Sequence, residues 1–73
     1  MIQKWYEIWV DESTKIPYVL FVYPDENNFN RIIILDPKED KIIEQMPSYK
    51  MAKDWLCEDE YTLVNGRMNV DDF

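Results

Sequence analysis

Four runs rich in apolar, β-branched and aromatic residues occupy much of the first 46 positions, and such runs are typical of β-strands, whose side chains alternate between two faces. The runs lie at 3–10, 18–23, 30–35 and 41–46. They are separated by polar or proline-containing segments, which favour turns. Because the separating segments are short, consecutive strands are expected to pair side by side. The pattern therefore predicts an antiparallel meander of four strands.

After Pro47 the apolar period changes to that of a helix. Ser48 is a favourable N-cap residue. The residues that would form one apolar helical stripe are Tyr49, Ala52, Trp55 and Leu56. Continuing the helix would rotate Asp59 onto this stripe, so we expect it to end near Glu58. The sequence predicts one helix over about 48–58.

The segment 60–65 returns to strand character and ends at Asn65-Gly66, a pair that favours a turn. The predicted fold class is α+β, with four strands, one helix packed on one face of the sheet and a short fifth strand at about 60–65. That strand would pair either antiparallel with the first strand or parallel with the fourth. We expect one domain over 1–66, with 67–73 as a short strand or a flexible tail.

The first strand is apolar on both sides. Alternation sends Tyr6, Ile8 and Val10 to one face, and it sends Trp5, Glu7 and Trp9 to the other. Glu7 marks the second face as the more hydrated one. Trp5 and Trp9 therefore either face outward, where a partner could bind them, or belong to the core or the cover of the sheet, which is the more usual position for large apolar side chains.

The second and third strands are also apolar on both faces, as 18–23 and 32–35 show. A helix of ten residues is only about 15 Å long and cannot cover both faces of such a sheet. The second face must therefore be covered by curling into a half-open barrel, by the tail, or by a homodimer or partner interface. In the last case the aromatic candidates for partner binding are Trp5, Trp9 and Tyr23.

The formal net charge is −7, and its excess of acids lies towards the C-terminus. Following the strand directions of a meander places many of the carboxylates at one end of the sheet. These residues are Asp11, Glu12, Asp36, Glu39, Asp40, Glu58, Asp59 and Glu60. They either solvate the turns or form a docking surface for a basic protein. The acidic candidates for partner binding are Asp11, Glu12, Glu58, Asp59 and Glu60.

The composition argues against several chemistries. The chain has no histidine, one cysteine and one glycine, so it offers no zinc or iron–sulfur ligand set and no glycine-rich phosphate loop. Acidic neighbours of Cys57 disfavour a reactive thiolate. We expect no catalytic activity, no cofactor and no metal.

The negative charge argues against direct binding of nucleic acid or of an anionic membrane surface. Lys4 and Glu7 interrupt the apolar residues of the N-terminal segment, so no signal peptide is expected there. With a single cysteine, these features favour the cytoplasm.

Two segments of the chain resemble small uncharacterised bacterial proteins of a cyanobacterial type. One runs from Trp5 through Glu12 and on to 17–20, and the other runs from Trp55 through Tyr61 to Arg67. The resemblance implies a compact stand-alone protein and no particular activity. The two-sided apolar sheet, the many aromatic residues and the clustered carboxylates instead favour a small acidic cytoplasmic interaction or adaptor protein, which binds its partner through the aromatic sheet face or the carboxylates. The alternative is an inhibitor of a basic target, either a nucleic-acid mimic or an immunity-type protein.

Overall fold

Five antiparallel strands form one open sheet, with a single helix packed against one of its faces. The computed structural model describes residues 4–13 and 15–70. The elements are β1 (Trp5–Asp11), β2 (Tyr18–Asp25), β3 (Asn28–Asp36), β4 (Lys41–Met46), α1 (Tyr49–Glu58) and β5 (Thr62–Asn69). The strand order is β4-β3-β2-β1-β5. The predicted α+β class and four-stranded meander are confirmed, and the sheet is not closed into a barrel.

The hairpin between β2 and β3 is tighter than the sequence suggests. β2 continues through Pro24, which pairs with Ile32, and only two residues separate Asp25 from Asn28. The Oδ1 atom of Asp25 accepts a hydrogen bond from the Asn27 backbone N–H at 3.0 Å, which closes the turn. The pairing of β2 with β3 shifts register between Pro24 and Asp25, next to this tight turn.

The fifth strand pairs antiparallel with β1 and continues past the expected turn. Asn65 and Gly66 do have positive φ values, 59° and 73°. They form an irregularity inside β5 rather than its end, since Ile8 pairs with Val64 and Tyr6 pairs with Met68. Neighbouring atoms do not restrict this position, because a Cβ added to Gly66 would meet no atom within 4 Å. The positive φ of Gly66 is therefore what favours glycine there. Positions 71–73 of the expected tail lie outside the described residues, as does position 3 of the expected first strand.

The helix begins and ends close to the predicted bounds. Ser48 is its N-cap, and its Oγ accepts a hydrogen bond from the Met51 backbone N–H at 3.2 Å. After the helix, Glu60 has a φ of 66°, and the Tyr61 backbone N–H donates to the Leu56 carbonyl at 2.9 Å. This left-handed residue turns the chain into β5.

The core lies between the helix and the tryptophan side of the sheet, so the tryptophans take the core alternative and not the outward one. Trp9 is only 3 % exposed. The buried cluster consists of Trp9, Leu20, Val22, Ile32, Ile34, Ala52 and Leu56, with Trp5 packed against it. Glu7 does not make this face more hydrated because partners on the same face satisfy its carboxylate. We call this side of the sheet the helix face.

Candidate interaction surface

The other side of the sheet is a broad apolar surface, which we call the open face. Strand pairing sets its members, because residues directly opposite each other in neighbouring strands share a face. They are Tyr6, Ile8, Val10, Val19, Phe21, Tyr23, Ile33, Leu35, Ile42, Val64 and Met68, together with the polar residues Gln45, opposite Ile33, and Thr62, opposite Val10. None of these side chains carries a formal charge at neutral pH.

No helix or strand among residues 4–13 and 15–70 packs over the open face, since the helix buries Ala52 and Leu56 on the opposite side. Near the centre, Tyr6 and Phe21 contact each other with ring centroids 6.3 Å apart. Towards the margins Val19 and Ile42 are exposed. A continuous apolar surface of this kind is typical of a protein-binding site.

Both edge strands of the sheet are irregular. In β4 the register with β3 shifts between Ile34 and Leu35, and in β5 the register with β1 shifts between Tyr6 and Ile8. Bulges at sheet edges disfavour the addition of another strand. The face of the sheet, rather than its edges, is therefore the candidate interaction surface.

Carboxylates gather at the end of the sheet where β1 and β3 finish, as the meander predicts. Tyr61 lies among them. Burial raises the pKa of the Tyr61 hydroxyl above its ordinary value of 10.0, and the negative charges of Asp11, Asp59 and Asp36 raise it further. The Asp11 carboxylate accepts hydrogen bonds from the Ser13 side chain and backbone, which lower the pKa of Asp11. We call this region the acidic end.

On the helix face, one buried carboxylate joins three elements. Glu7 is 2 % exposed and accepts from Trp9 Nε1 at 2.9 Å through Oε1. The Tyr49 hydroxyl donates to both carboxylate oxygens, each at 2.9 Å. Arg67 Nε donates to Oε2 at 3.1 Å, forming a salt bridge. Because Glu7 is this fully engaged, its role is structural rather than that of a free acid or base.

Aromatic rings hold the guanidinium of Arg67 in place. Its Cζ lies 3.6 Å from the centroid of the Trp5 ring and 4.9 Å from that of Tyr49. The two rings meet edge to face, 5.8 Å apart. Burial raises the pKa of the Tyr49 hydroxyl, as do its hydrogen bond to Glu7 and the charge of Glu7, whereas Arg67 lowers it.

Two clefts lie at opposite ends of the molecule. One, of about 560 Å³, is bordered by Trp5, Phe29, Ser48, Tyr49 and Arg67, near the start of the helix. The other, of about 540 Å³, lies between the β1–β2 loop and the β3–β4 turn at the acidic end. Its lining includes Ile16, Tyr18, Val19, Lys15 and Lys38.

The structure separates the predicted site residues into three groups. Trp9 lies in the core, and Trp5 packs against the core beneath Arg67, so neither belongs to the open face. Tyr23 does belong to it, although neighbouring side chains leave it only 9 % exposed. Burial raises the pKa of the Tyr23 hydroxyl, as do the charges of Asp25 and Asp40.

The acidic candidates lie at the acidic end. Asp11 and Asp59 are brought together beside Tyr61. The other three, Glu12, Glu58 and Glu60, adjoin these two in the chain and are exposed.

The sequence does not identify which apolar residues form the open face. Ile8, Val10, Val19 and Phe21 carry the same two-sided apolar signal as the tryptophans. Glu7 indicates hydration of the tryptophan side, and the structure shows that this indication is wrong. The salt bridge with Arg67 could not be recognised, because position 67 was placed beyond a turn.

The described residues contain no group of three or more acidic, cysteine or histidine side chains that could hold a metal ion. Within the same part of the chain, no helix is long and apolar enough to cross a membrane.

The fold and surfaces define a small α+β domain with one apolar sheet face uncovered. No protein-family model, curated protein or solved structure was found to match the chain. The resemblance noted in two segments stays an expectation.

Proposed function

We propose that this protein is a small, non-catalytic protein-interaction protein that binds through the open face. The observation that carries the proposal is the apolar surface formed by all five strands, with no described element over it. Its occupant is another folded protein rather than a small ligand. The surface is a sheet face, whereas small-molecule sites are concave and enclose their ligands.

The acidic end supports the same role. Its carboxylates lie at the margin of the sheet, where Asp11 follows Val10 at the end of β1 and Asp36 follows Leu35 at the end of β3, both on the helix-face side in the strand register. Charged residues around an apolar interface orient the approaching partner and raise the association rate. The exposed thiol of Cys57 is consistent with a reducing compartment, and we place the protein in the cytoplasm on that basis.

The alternative of nucleic-acid mimicry has less support. A mimic needs carboxylates spaced along a surface in the manner of backbone phosphates. Asp11, Asp36 and Asp59 instead converge on one tyrosine at one end of the sheet.

Site-specific photo-crosslinking in the native cells tests the proposal. A benzophenone amino acid at Val19 probes the open face, and the same amino acid at Met51 is the matched control. Both positions are exposed, but Met51 lies on the helix, away from the open face. We expect discrete protein adducts from position 19 only. The absence of adducts at 19, or the same adducts from both positions, contradicts a docking role for this face.

A further inference from the structure

We propose that the occupant of the open face is a second copy of this chain, stacked sheet against sheet with its strands running in the opposite direction. The inference rests on the proposed docking role of the face and names its partner. Three properties of the described residues support it: the area of the face, its lack of charge, and the unequal charge of its two ends.

The area of the face reaches the lower limit for a specific dimer. Five strands spaced about 4.8 Å apart, each with about six residues rising about 3.3 Å, give a face of roughly 24 by 20 Å. Two copies would bury roughly 1,000 Å² in total, which is the lower limit for a specific interface. Face-to-face packing of antiparallel sheets is a standard arrangement, with side chains interdigitating across about 10 Å.

The composition of the face permits self-pairing despite the net charge of −7. A twofold dimer places the same surface on both sides of the interface. A charge near the centre would therefore meet its own copy, but the central side chains here are Phe21, Ile33 and Leu35. The register shifts in β4 and β5 disfavour the competing edge-to-edge association.

Charge selects the relative direction of the two sheets. At the acidic end eight carboxylates stand against three lysines, Lys15, Lys38 and Lys41. The opposite end is more nearly balanced, because Lys4, Arg31 and Arg67 stand there with Asp25 and Glu26, and Arg31 and Arg67 pair with Asp25 and Glu7 of the same chain. Stacking with parallel directions would place the two acidic ends together. Reversed stacking separates the acidic ends and places Lys4 of one β1 over Glu12 of the other.

Sedimentation equilibrium of the purified full chain tests whether the protein forms a dimer through the open face. We expect a dimer for the natural sequence and a dissociation constant at least about tenfold larger for Val19→Asp, because a carboxylate would be buried in the interface. Val64→Asp, on an exposed position of β5, provides a second variant if the first one fails to fold. Met51→Asp is the control and should remain dimeric, and circular dichroism checks that each variant is folded.

Charge-reversal variants test the relative direction of the two stacked sheets. In the reversed arrangement, we expect Lys4→Glu to weaken the dimer about fivefold, since two symmetry-related pairs are lost. Adding Glu12→Lys should restore it. Lys53→Glu makes the same change of charge on the helix and should have little effect. Equal effects of the two lysine variants, or no rescue by Glu12→Lys, would overturn the reversed direction.

Self-pairing of the chain and the docking role of the open face can fail separately. A monomer at all concentrations overturns self-pairing. If position 19 then crosslinks in cells to a protein of different mass, the docking role stands and only the identity of the partner is wrong. If position 19 gives no adduct, both proposals fail. An adduct of twice the chain mass supports both.

Discussion

Arg67 Nε donates to Glu7 Oε2 at 3.1 Å, and this salt bridge joins residues that are 60 positions apart. It connects β1 to β5, a pair of strands whose register shifts between Tyr6 and Ile8. Glu7 is fully buried, whereas the Arg67 side chain is 39 % exposed. The carboxylate therefore depends on its protein partners, while the guanidinium has water as an alternative.

We expect Arg67→Ala to lower the free energy of unfolding by about 3 kcal/mol, because it leaves a buried charge with fewer partners. Urea denaturation followed by tryptophan fluorescence measures the loss. Arg31→Ala removes an exposed arginine whose nearest carboxylate, in Asp25, is 3.8 Å away, and it should cost under about 0.5 kcal/mol. Equal losses for the two variants would show that Glu7 does not need Arg67.

Adding Glu7→Gln to Arg67→Ala should recover part of the stability that Arg67→Ala alone loses. The amide has no charge to leave unpaired, so the double variant should lose less than the sum of the two single losses. The same urea denaturation, applied as a double-mutant cycle, checks this. Strict additivity would contradict coupling between the two residues.

Tyr49→Phe should lower the free energy of unfolding by about 1–2 kcal/mol. It removes one hydroxyl that donates to both oxygens of a buried carboxylate, and hydrogen bonds to charged groups are among the stronger ones. Thermal unfolding compares it with Tyr18→Phe, which removes the hydroxyl of an exposed tyrosine. A Tyr49→Phe variant as stable as the natural protein would show that the remaining donors suffice.

The two faces of the sheet should respond differently to the same substitution on one strand. Val22 is completely buried on the helix face and Val19 is 37 % exposed on the open face, both in β2. We expect Val22→Ala to cost about 2 kcal/mol and Val19→Ala under about 1 kcal/mol when unfolding is measured at a concentration where the protein is monomeric. The reverse order would mean that the helix covers the other face.

Stability should fall in alkaline solution. The pKa values of Tyr23, Tyr49 and Tyr61 are raised above 10.0 in the folded protein, chiefly by burial. The folded state therefore holds these protons more tightly than the unfolded chain does. This contribution to stability is complete below about pH 10 and is lost as the pH rises through the higher folded values.

Urea denaturation at a series of pH values, with tyrosinate absorbance recorded in parallel, checks this dependence. Tyr61→Phe should make the alkaline decline shallower than in the natural protein. Every other side chain is shared by the two proteins, so the difference between the two profiles isolates the tyrosine. Superimposable profiles would contradict the prediction.

Local chemistry made much of the fold predictable. Ser48 and the apolar stripe of the helix specified α1 to within one residue at its start. Period-two alternation and short separating segments specified the meander, because consecutive antiparallel strands need only short connections. The gathering of Asp11, Asp36 and Asp59 at one end followed from strand direction alone.

The candidate surface was predictable only in part. Alternation showed that Trp9 and Ile8 lie on opposite faces of the sheet. Because both faces are apolar, the period of the apolar residues does not indicate which face the helix covers. Glu7 suggested the wrong answer because a buried carboxylate is uncommon. Here Trp9, Tyr49 and Arg67 satisfy it.

The sequence by itself determined the number and order of the elements, the two apolar faces of the sheet and the acidic end, since these depend on residues close in the chain. Only the tertiary structure decided which face became the core, how β5 passes through Asn65 and Gly66, and that Arg67 meets Glu7. These features depend on contacts between distant segments. Packing the helix over Trp9 left Ile8, Val19 and Phe21 on the open face, where we place the interaction surface.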